Sequence, residues 1–299
     1  MADNGNRDFD AAPGETWFTE RLHGDLRSSY RSRKVLYDAK IDHQHLVIFD
    51  GGAFGKVMML DGVTQLTTSD EFVYHEMLAH VPIIAHGNVR DVLVIGGGDG
   101  GVAAEVFQHR DVERLTLVEI DSGVVAFSKE YIPEVSRGAF DDPRLELVIQ
   151  DGKDYVATTD RRYDLIVVDS TDPIGPGEVL FTREFYADCK RILKPGGIVV
   201  TQNGVPFFQA AELEQTIRFF SGLFADPSCF LAAVPTYVGG FMALGWGSDN
   251  AELRRLPLEL IEERAAKANL TTRYYTPEVH RACFALPRFI ADIVAKGRG

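Results

Sequence analysis

Apolar and polar positions fall into two regimes along the chain. From about Trp17 to Thr68 the apolar stretches are short and alternating: HLVIFD, GKVMML and VTQLT, separated by Asp50-Gly51-Gly52 and Asp61-Gly62. Asp-Gly and Gly-Gly between β-type runs signal hairpins, so residues 17–69 read as a small antiparallel β domain. A sheet of that size needs cover on at least one face, which predicts packing on the main domain or on another subunit. The polar start, MADNGNRDFDAAPGE, makes residues 1–16 read as a disordered tail. A helix follows from Asp70 to His86, with Phe72, Met77, Leu78 and Ile83 able to share one face and Tyr74 and His75 lying elsewhere.

From Asp91 the pattern changes to near-continuous β-branched runs alternating with helical stretches. The order is VLVI, a helix from Gly100 to Gln108, LTLVEID, a helix through Val124 to Tyr131, LELVIQDG, a short helix, and YDLIVVDSTDP. A helix from Arg183 to Leu193, a turn at Pro195 to Gly197, and the strand IVVTQN come next. Phe230 to Pro235 and Gly240 to Trp246 read as an antiparallel pair at one edge, and the chain from Pro257 as a helix and a C-terminal segment. Such alternation implies a parallel sheet covered on both faces. Residues 70–299 are therefore expected to form an α/β fold, a Rossmann-like doubly wound sheet of methyltransferase type, preceded by the small β domain.

The run VLVIGGGDGG, Val92 to Gly101, empties a buried strand into a glycine loop. Gly96, Gly98 and Gly101 fit G-x-G-x-x-G, which permits a tight turn and close approach of backbone to a ligand. Asp99 in its middle opposes the pyrophosphate that such loops normally cradle, so the loop suits a cationic group. In open α/β sheets the ligand crevice lies beyond the carboxyl ends of the strands. Four successive strands here finish on acids: Asp99, Glu119, Asp151 and Asp169, with Asp172 close behind. Each alone could be a helix N-cap or a solvated loop acid. Four in register point to a binding crevice. Glu119, 18 residues past Gly101, can accept hydrogen bonds from ribose hydroxyls, and Asp151-Gly152 can hold an adenine edge. Gly175, Pro176 and Gly177, in DSTDPIGPGE, suggest a loop able to move over the site, the alternative being a rigid turn that caps the next helix.

Composition narrows the classes. A formal net charge of −13 argues against nucleic-acid or anionic-membrane partners. Cys189, Cys229 and Cys283 stand far apart without CxxC spacing, and read as reduced thiols of a cytosolic protein. No apolar run reaches a membrane span, and the first residues lack signal-peptide character. His75 and His80 bracket a superficial likeness to a zinc-protease motif. Five residues apart, they point about 140° away from each other on a helix, so no metal is expected there.

Several long motifs in one order resemble the spermidine synthases of the polyamine aminopropyltransferase family, bacterial type. They are DHQ at Asp42 to Gln44, LDGVTQLT from Leu60, DEFVYHEM from Asp70, IGGGDGG from Ile95, VEID from Val118, DSTDPIGPGE, YVGGFMALGW from Tyr237 and PEVHRACFALP from Pro277. Thr67-Thr68-Ser69 departs from the family, which often has an acidic and a basic residue there. The resemblance implies transfer of the aminopropyl group of decarboxylated S-adenosylmethionine to putrescine, giving spermidine and methylthioadenosine. No metal or cofactor is implied, the nucleoside being a co-substrate. It also implies a cytoplasmic homodimer or homotetramer.

On this resemblance Gln44, Asp99, Glu119, Asp151, Gly152 and Pro176 contact the nucleoside, and Asp99 pairs with the bare ammonium while repelling a carboxylate. Asp169 is the catalytic base, Asp172 orients the same end of the diamine with Tyr74, and His75, Tyr237 and Gln65 line the diamine or aminopropyl channel. Asp99 is thereby shared between the two ligands. Three competing readings are N-methylation of a polyamine, which Asp99 opposes, an NAD-dependent oxidoreductase, which Asp99 also opposes, and a non-catalytic polyamine-binding relative, which would be expected to lose Asp169 or Asp172.

Overall fold

A computed structural model describes residues 14–173 and 175–299, with the side chains of Gly175 and Pro176 outside the description. Most of the expected tail, residues 1–13, also lies outside it, while Thr16 opens the first strand. β1 (Thr16–Glu20) and β2 (Ser28–Ser32) form an antiparallel ribbon. β3 (Lys34–Lys40), β4 (His45–Asp50), β5 (Lys56–Leu60) and β6 (Val63–Thr67) form a four-stranded antiparallel meander. Alternation along β4 sends Leu46 and Ile48 to one face and Val47 and Phe49 to the other, yet all four are buried. The first pair packs with Met58 and Leu60 on helices of the larger domain; the second packs with Tyr30 and Phe18 of the ribbon. Both faces of the meander are thus covered within the chain.

α1 (Glu71–His86) leads into the larger domain: β7 (Asp91–Gly96), α2 (Gly101–Phe107), β8 (Arg114–Glu119), α3 (Ser122–Tyr131), α4 (Pro133–Ser136), β9 (Leu145–Ile149), α5 (Gly152–Thr158) and β10 (Tyr163–Asp169). α6 (Arg183–Ile192), β11 (Leu193–Gln202), α7 (Ala210–Ser221), β12 (Asp226–Ala232), β13 (Met242–Ser248), α8 (Leu258–Ala268), α9 (Pro277–Ala282) and α10 (Arg288–Arg298) complete it. The sheet runs β12-β13-β11-β10-β7-β8-β9, with β7 to β11 parallel and β13 antiparallel between β11 and β12. Its order reverses between β7 and its neighbours β8 and β10, which opens a crevice at their carboxyl ends. Separate apolar clusters cover the two faces, one centred on α1 and α2, the other on α5 and α6. Each fully buried Val, Leu or Ile in them contributes roughly 1.5–3 kcal/mol. This is the expected α/β architecture.

Four local expectations are corrected. α1 has no single apolar face: Val73 to Ala85 are all buried, Tyr74 and His75 included, because the helix is enclosed by the sheet, α2, α8 and the acidic crevice. Its polar members are satisfied from afar, Glu76 accepting backbone N–H bonds from Arg273, Tyr274 and Tyr275 at 2.7, 2.9 and 2.7 Å. Pro195 to Gly197 are not a turn ahead of a strand but an irregularity within the continuous β11, since Tyr163 pairs with Leu193 and Leu165 with Ile198. The edge strands begin at Asp226 and Met242 rather than Phe230 and Gly240. Beyond Pro257 lie three helices, α8 to α10, not one. All three cysteines are buried and free, and burial pushes their thiols up, away from reactivity.

Candidate active site

The crevice is an open cleft of about 1340 Å3 at the carboxyl ends of β7, β8 and β10, roofed by α1, β6 and the loop after β12. Register fixes its centre: Asp169 at the end of β10 stands opposite Gly96 at the end of β7. A Cβ on Gly97 would come within 2.8 Å of Asp169 Oδ2, and one on Gly98 within 2.7 Å of Glu119 Oε2. A Cβ on Gly101 would overlap the His75 ring. The glycine run therefore makes room for the protein's own acids and imidazole as they crowd the loop, a requirement additional to ligand approach.

Asp169 lies at the heart of the cleft. Its Oδ1 accepts the Tyr74 hydroxyl at 2.8 Å, whereas its Oδ2 is buried with no hydrogen-bond partner among the described residues. Burial and then repulsion from Asp99 lift its pKa to about 6, against the pull of His75 and the Tyr74 hydrogen bond. Asp99 Oδ1 accepts the backbone N–H of Gly101 at 2.7 Å and sits 3.5 Å from His75 Nε2. The other ring nitrogen of His75 is 2.6 Å from Glu71 Oε2. Burial disfavours charge on that imidazole, but Asp99, Glu71 and Asp169 outweigh it and raise its pKa to about 10. His75 is thus an imidazolium clamped between two carboxylates, a fixed cation beneath Asp99.

Tyr74 meets Tyr237 edge-on at 5.8 Å, and the Tyr237 hydroxyl donates to the Gln65 carbonyl at 2.5 Å. The Gln65 side chain itself turns to the Val63 carbonyl, at 3.0 Å, so its backbone serves the cleft as much as its amide does. Asp172 Oδ1 accepts from Gln209 Nε2 at 2.5 Å, and burial raises its pKa against that hydrogen bond. Gln202 braces the same loop through the Ser170 carbonyl at 3.2 Å. At the other end of the cleft, Glu119 Oε1 accepts the Asp121 N–H at 2.9 Å, and burial lifts its pKa to about 7 against such backbone donors. Asp151 N-caps α5 through the Lys153 N–H at 2.8 Å and also lines the cleft. Gln44 and Gly152 line the wall of the cleft near Glu119 and Asp151. The side chain of Pro176 lies outside the described residues.

Among the described residues, His75, Asp99 and Asp169 each place a ligand atom within 4.8 Å of the others. As a donor set they do not suit a metal, because both nitrogens of His75 already face carboxylates and the ring carries a proton rather than a free lone pair. What the cleft offers is carboxylates, with oxygens of Asp99 and Asp169 within 4.8 Å of each other and Asp172 on the same lining, complementary to an organic cation.

Comparison with known proteins decides the lineage. A model of the spermine/spermidine synthase domain matches residues 71–256, and one of the spermidine synthase tetramerisation domain matches residues 16–68. The chain belongs to the spermine/spermidine synthase family. It is 57% identical to a polyamine aminopropyltransferase of Ruegeria sp. (strain TM1040) over 93% of this chain and 98% of that one. It is 53% identical to polyamine aminopropyltransferase 1 of Pseudomonas aeruginosa over 93% and 98%. The fold matches a crystal structure of spermidine synthase in complex with the transition-state analogue AdoDATO, with a TM-score of 0.90 and 36% identity, covering 97% of this chain and 98% of that one. Spermidine synthase from Thermotoga maritima matches with a TM-score of 0.86 and 34% identity over 99% of both chains.

The structure brings Gln44, Gln65, Tyr74, His75, Asp99, Glu119, Asp151, Gly152, Asp169, Asp172 and Tyr237 to the lining of one cleft. Sequence reasoning missed Glu71, Gln202 and Gln209. Glu71 was legible, being four residues before His75 on a helix. The glutamines were not, since only the folded loops bring them to Asp172 and Ser170.

Proposed function

We propose that this family member is a spermidine synthase, transferring the aminopropyl group of decarboxylated S-adenosylmethionine to putrescine with release of methylthioadenosine. The observation that carries the reading is the buried Oδ2 of Asp169, without a hydrogen-bond partner among the described residues, beside Asp99 and on a carboxylate held through Oδ1 by Tyr74. An acceptor without a donor in such a place calls for a donor from outside, and an amine supplies it.

Glu119, Asp151, Gly152, Gln44 and Pro176 would take the nucleoside, leaving Asp99 to meet the ammonium of the aminopropyl arm. Ordinary S-adenosylmethionine places a carboxylate there, which Asp99 repels. The diamine enters past Tyr237, His75 and Gln65, with one nitrogen at Asp169 and Asp172. With a pKa near 6, Asp169 is ionised at pH 7–8 and competent to accept a proton. The neutral nitrogen attacks the carbon beside the sulfonium; a C–N bond forms, the C–S bond breaks, and its electron pair neutralises sulfur. The proton lost from nitrogen goes to Asp169. With its pKa raised to about 10, His75 contributes to the field that lowers the pKa of Asp169 rather than to proton transfer. The chemistry needs no cofactor beyond the co-substrate.

The match of residues 16–68 to a tetramerisation domain supports a homo-oligomer assembled through the N-terminal sheets, a homotetramer before a homodimer. Light scattering of the full chain separates the two. No helix among the described residues is long and apolar enough to cross a membrane, and a cytoplasmic location belongs to the same proposal. Mass spectrometry after mixing the protein with putrescine and either decarboxylated or ordinary S-adenosylmethionine tests the chemistry. Spermidine and methylthioadenosine from the decarboxylated form alone is the expected result. Methylputrescine from the ordinary form, or no product from either, refutes it.

A further inference from the structure

Asp70 occupies the N-cap position of α1, yet its side chain makes no cap hydrogen bond. Elsewhere in the molecule Asp121, Asp151, Thr182 and Thr276 at the same position all cap their helices. An aspartate there is ordinarily worth about 1 kcal/mol to the helix, so its diversion calls for another use. The buried carboxylate instead accepts the Thr67 hydroxyl on Oδ1 at 2.6 Å. On Oδ2 it accepts both the backbone N–H of Thr236 at 2.7 Å and the Thr236 hydroxyl at 2.6 Å. Three donors thus converge on it from β6 and from the β12–β13 loop, 166 residues away.

The residue after Thr236 is Tyr237, whose hydroxyl reaches the Gln65 carbonyl and whose ring stands edge-on to Tyr74, the tyrosine that holds Asp169. Beyond it Gly239 packs closely on Val205 and Phe208. On its N-terminal side Tyr237 is held by its own N–H, which donates to the Val234 carbonyl at 3.2 Å, and by the Asp70 bonds to the preceding Thr236, and at its tip by its hydroxyl. We propose that Asp70 is a positioning residue for the acceptor: through Thr236 it fixes Tyr237 against Tyr74, so that the channel leading to Asp169 has one width and one orientation. The assignment of that channel to an amine acceptor rests on the function proposed above, whereas the clamp itself does not.

Two readouts separate the two ideas. Thr236→Val removes the hydroxyl donor at nearly constant volume and leaves the backbone N–H bond; Asp70→Asn weakens all three contacts. In steady-state assays both variants are expected to raise the KM for putrescine by about tenfold, because a small misplacement of a positioning wall is costly. The Kd for methylthioadenosine should stay within about twofold, since its contacts lie on β7, β8 and α5, and Thr236→Ser should restore the wild-type KM. Backbone hydrogen exchange of residues 236–241 in the Thr236→Val protein is expected to rise by about tenfold whatever the substrate, the amount that loss of roughly 1.4 kcal/mol of loop restraint gives. Unchanged exchange, an unchanged putrescine KM in folded variants, or equal losses for putrescine and methylthioadenosine overturns the assignment. If the wild-type protein makes no spermidine but exchange rises as expected, the clamp stands and the substrate reading falls.

Discussion

Replacing Asp169 by asparagine should inactivate the enzyme and stabilise the fold. The carboxyl is lifted from 3.8 to about 6 by burial and by Asp99, so folding favours its protonated form. An acid whose pKa rises on folding contributes stability below the unfolded value and loses it as pH climbs through the folded value. At pH 8, where both states ionise it, a shift of about two units at 1.36 kcal/mol each makes the native carboxylate cost about 3 kcal/mol. At pH 5 the cost falls to about half, because the folded group is largely protonated, and it is mostly gone at pH 4. The substituted amide cannot ionise and its oxygen can still accept from Tyr74, so the Asp169→Asn variant should recover most of that sum. For a chain of this length the gain corresponds to a Tm higher by about 4–6 °C at pH 8. Calorimetry at pH 8, 6 and 5 should show the gain shrinking as pH falls, while kcat at pH 8 drops by about 10²–10⁴ and nucleoside affinity persists. A variant that is destabilised at pH 8, or whose gain is the same at every pH, would refute the charge-burial account. Near-normal turnover would refute the base assignment.

The other predictions concern the loop, the charge and the helix behind them. Asp99→Ala should weaken binding of the decarboxylated nucleoside by about 1.5–3 kcal/mol and methylthioadenosine, which lacks the ammonium, by much less, as measured by calorimetric titration; equal losses would make Asp99 structural. Gly101→Ala should lower kcat by at least about tenfold, because its methyl overlaps the His75 ring and must displace the imidazolium from Asp99. The His75 proton resonances, which otherwise remain those of a charged ring up to a pH of about 10, should then titrate lower. Glu76→Ala leaves three backbone N–H groups without their acceptor and should cost at least about 3 kcal/mol in denaturant unfolding.

The strand-end acids were legible before any coordinates, because a parallel sheet brings the ends of its strands together whatever the sequence between them. Asp99, Glu119, Asp151 and Asp169 share one cleft for that reason. Helix α1 was legible as a helix but not as a buried one. Its periodicity is blurred by Tyr74, His75, Glu76 and His80, each polar and each buried, and only the Glu71 partner of His75 lies at a spacing that a local pattern announces. The partnering of Asp70 with Thr236 is a further case, since its position ahead of an apolar run predicts a cap and only tertiary structure redirects it. His75 was read as a channel lining; its contact with Glu71 is local to α1, and its contact with Asp99 depends on how α1 lies over the glycine loop.

Glu76 has a consequence for how the protein is made. Its carboxylate oxygens are satisfied by residues 197 to 199 positions later in the chain. At roughly 5–20 residues per second, a ribosome needs on the order of 10–40 s to reach them after Glu76 has been added. Throughout that interval the central helix carries a carboxylate that cannot be buried at low cost, so α1 has no finished seat while β7 to β13 are being synthesised. The nascent chain must wait, hydrated or chaperoned, for a segment near its end. Variants that fail late in translation would therefore release chains whose sheet is complete in sequence but whose central helix has never docked.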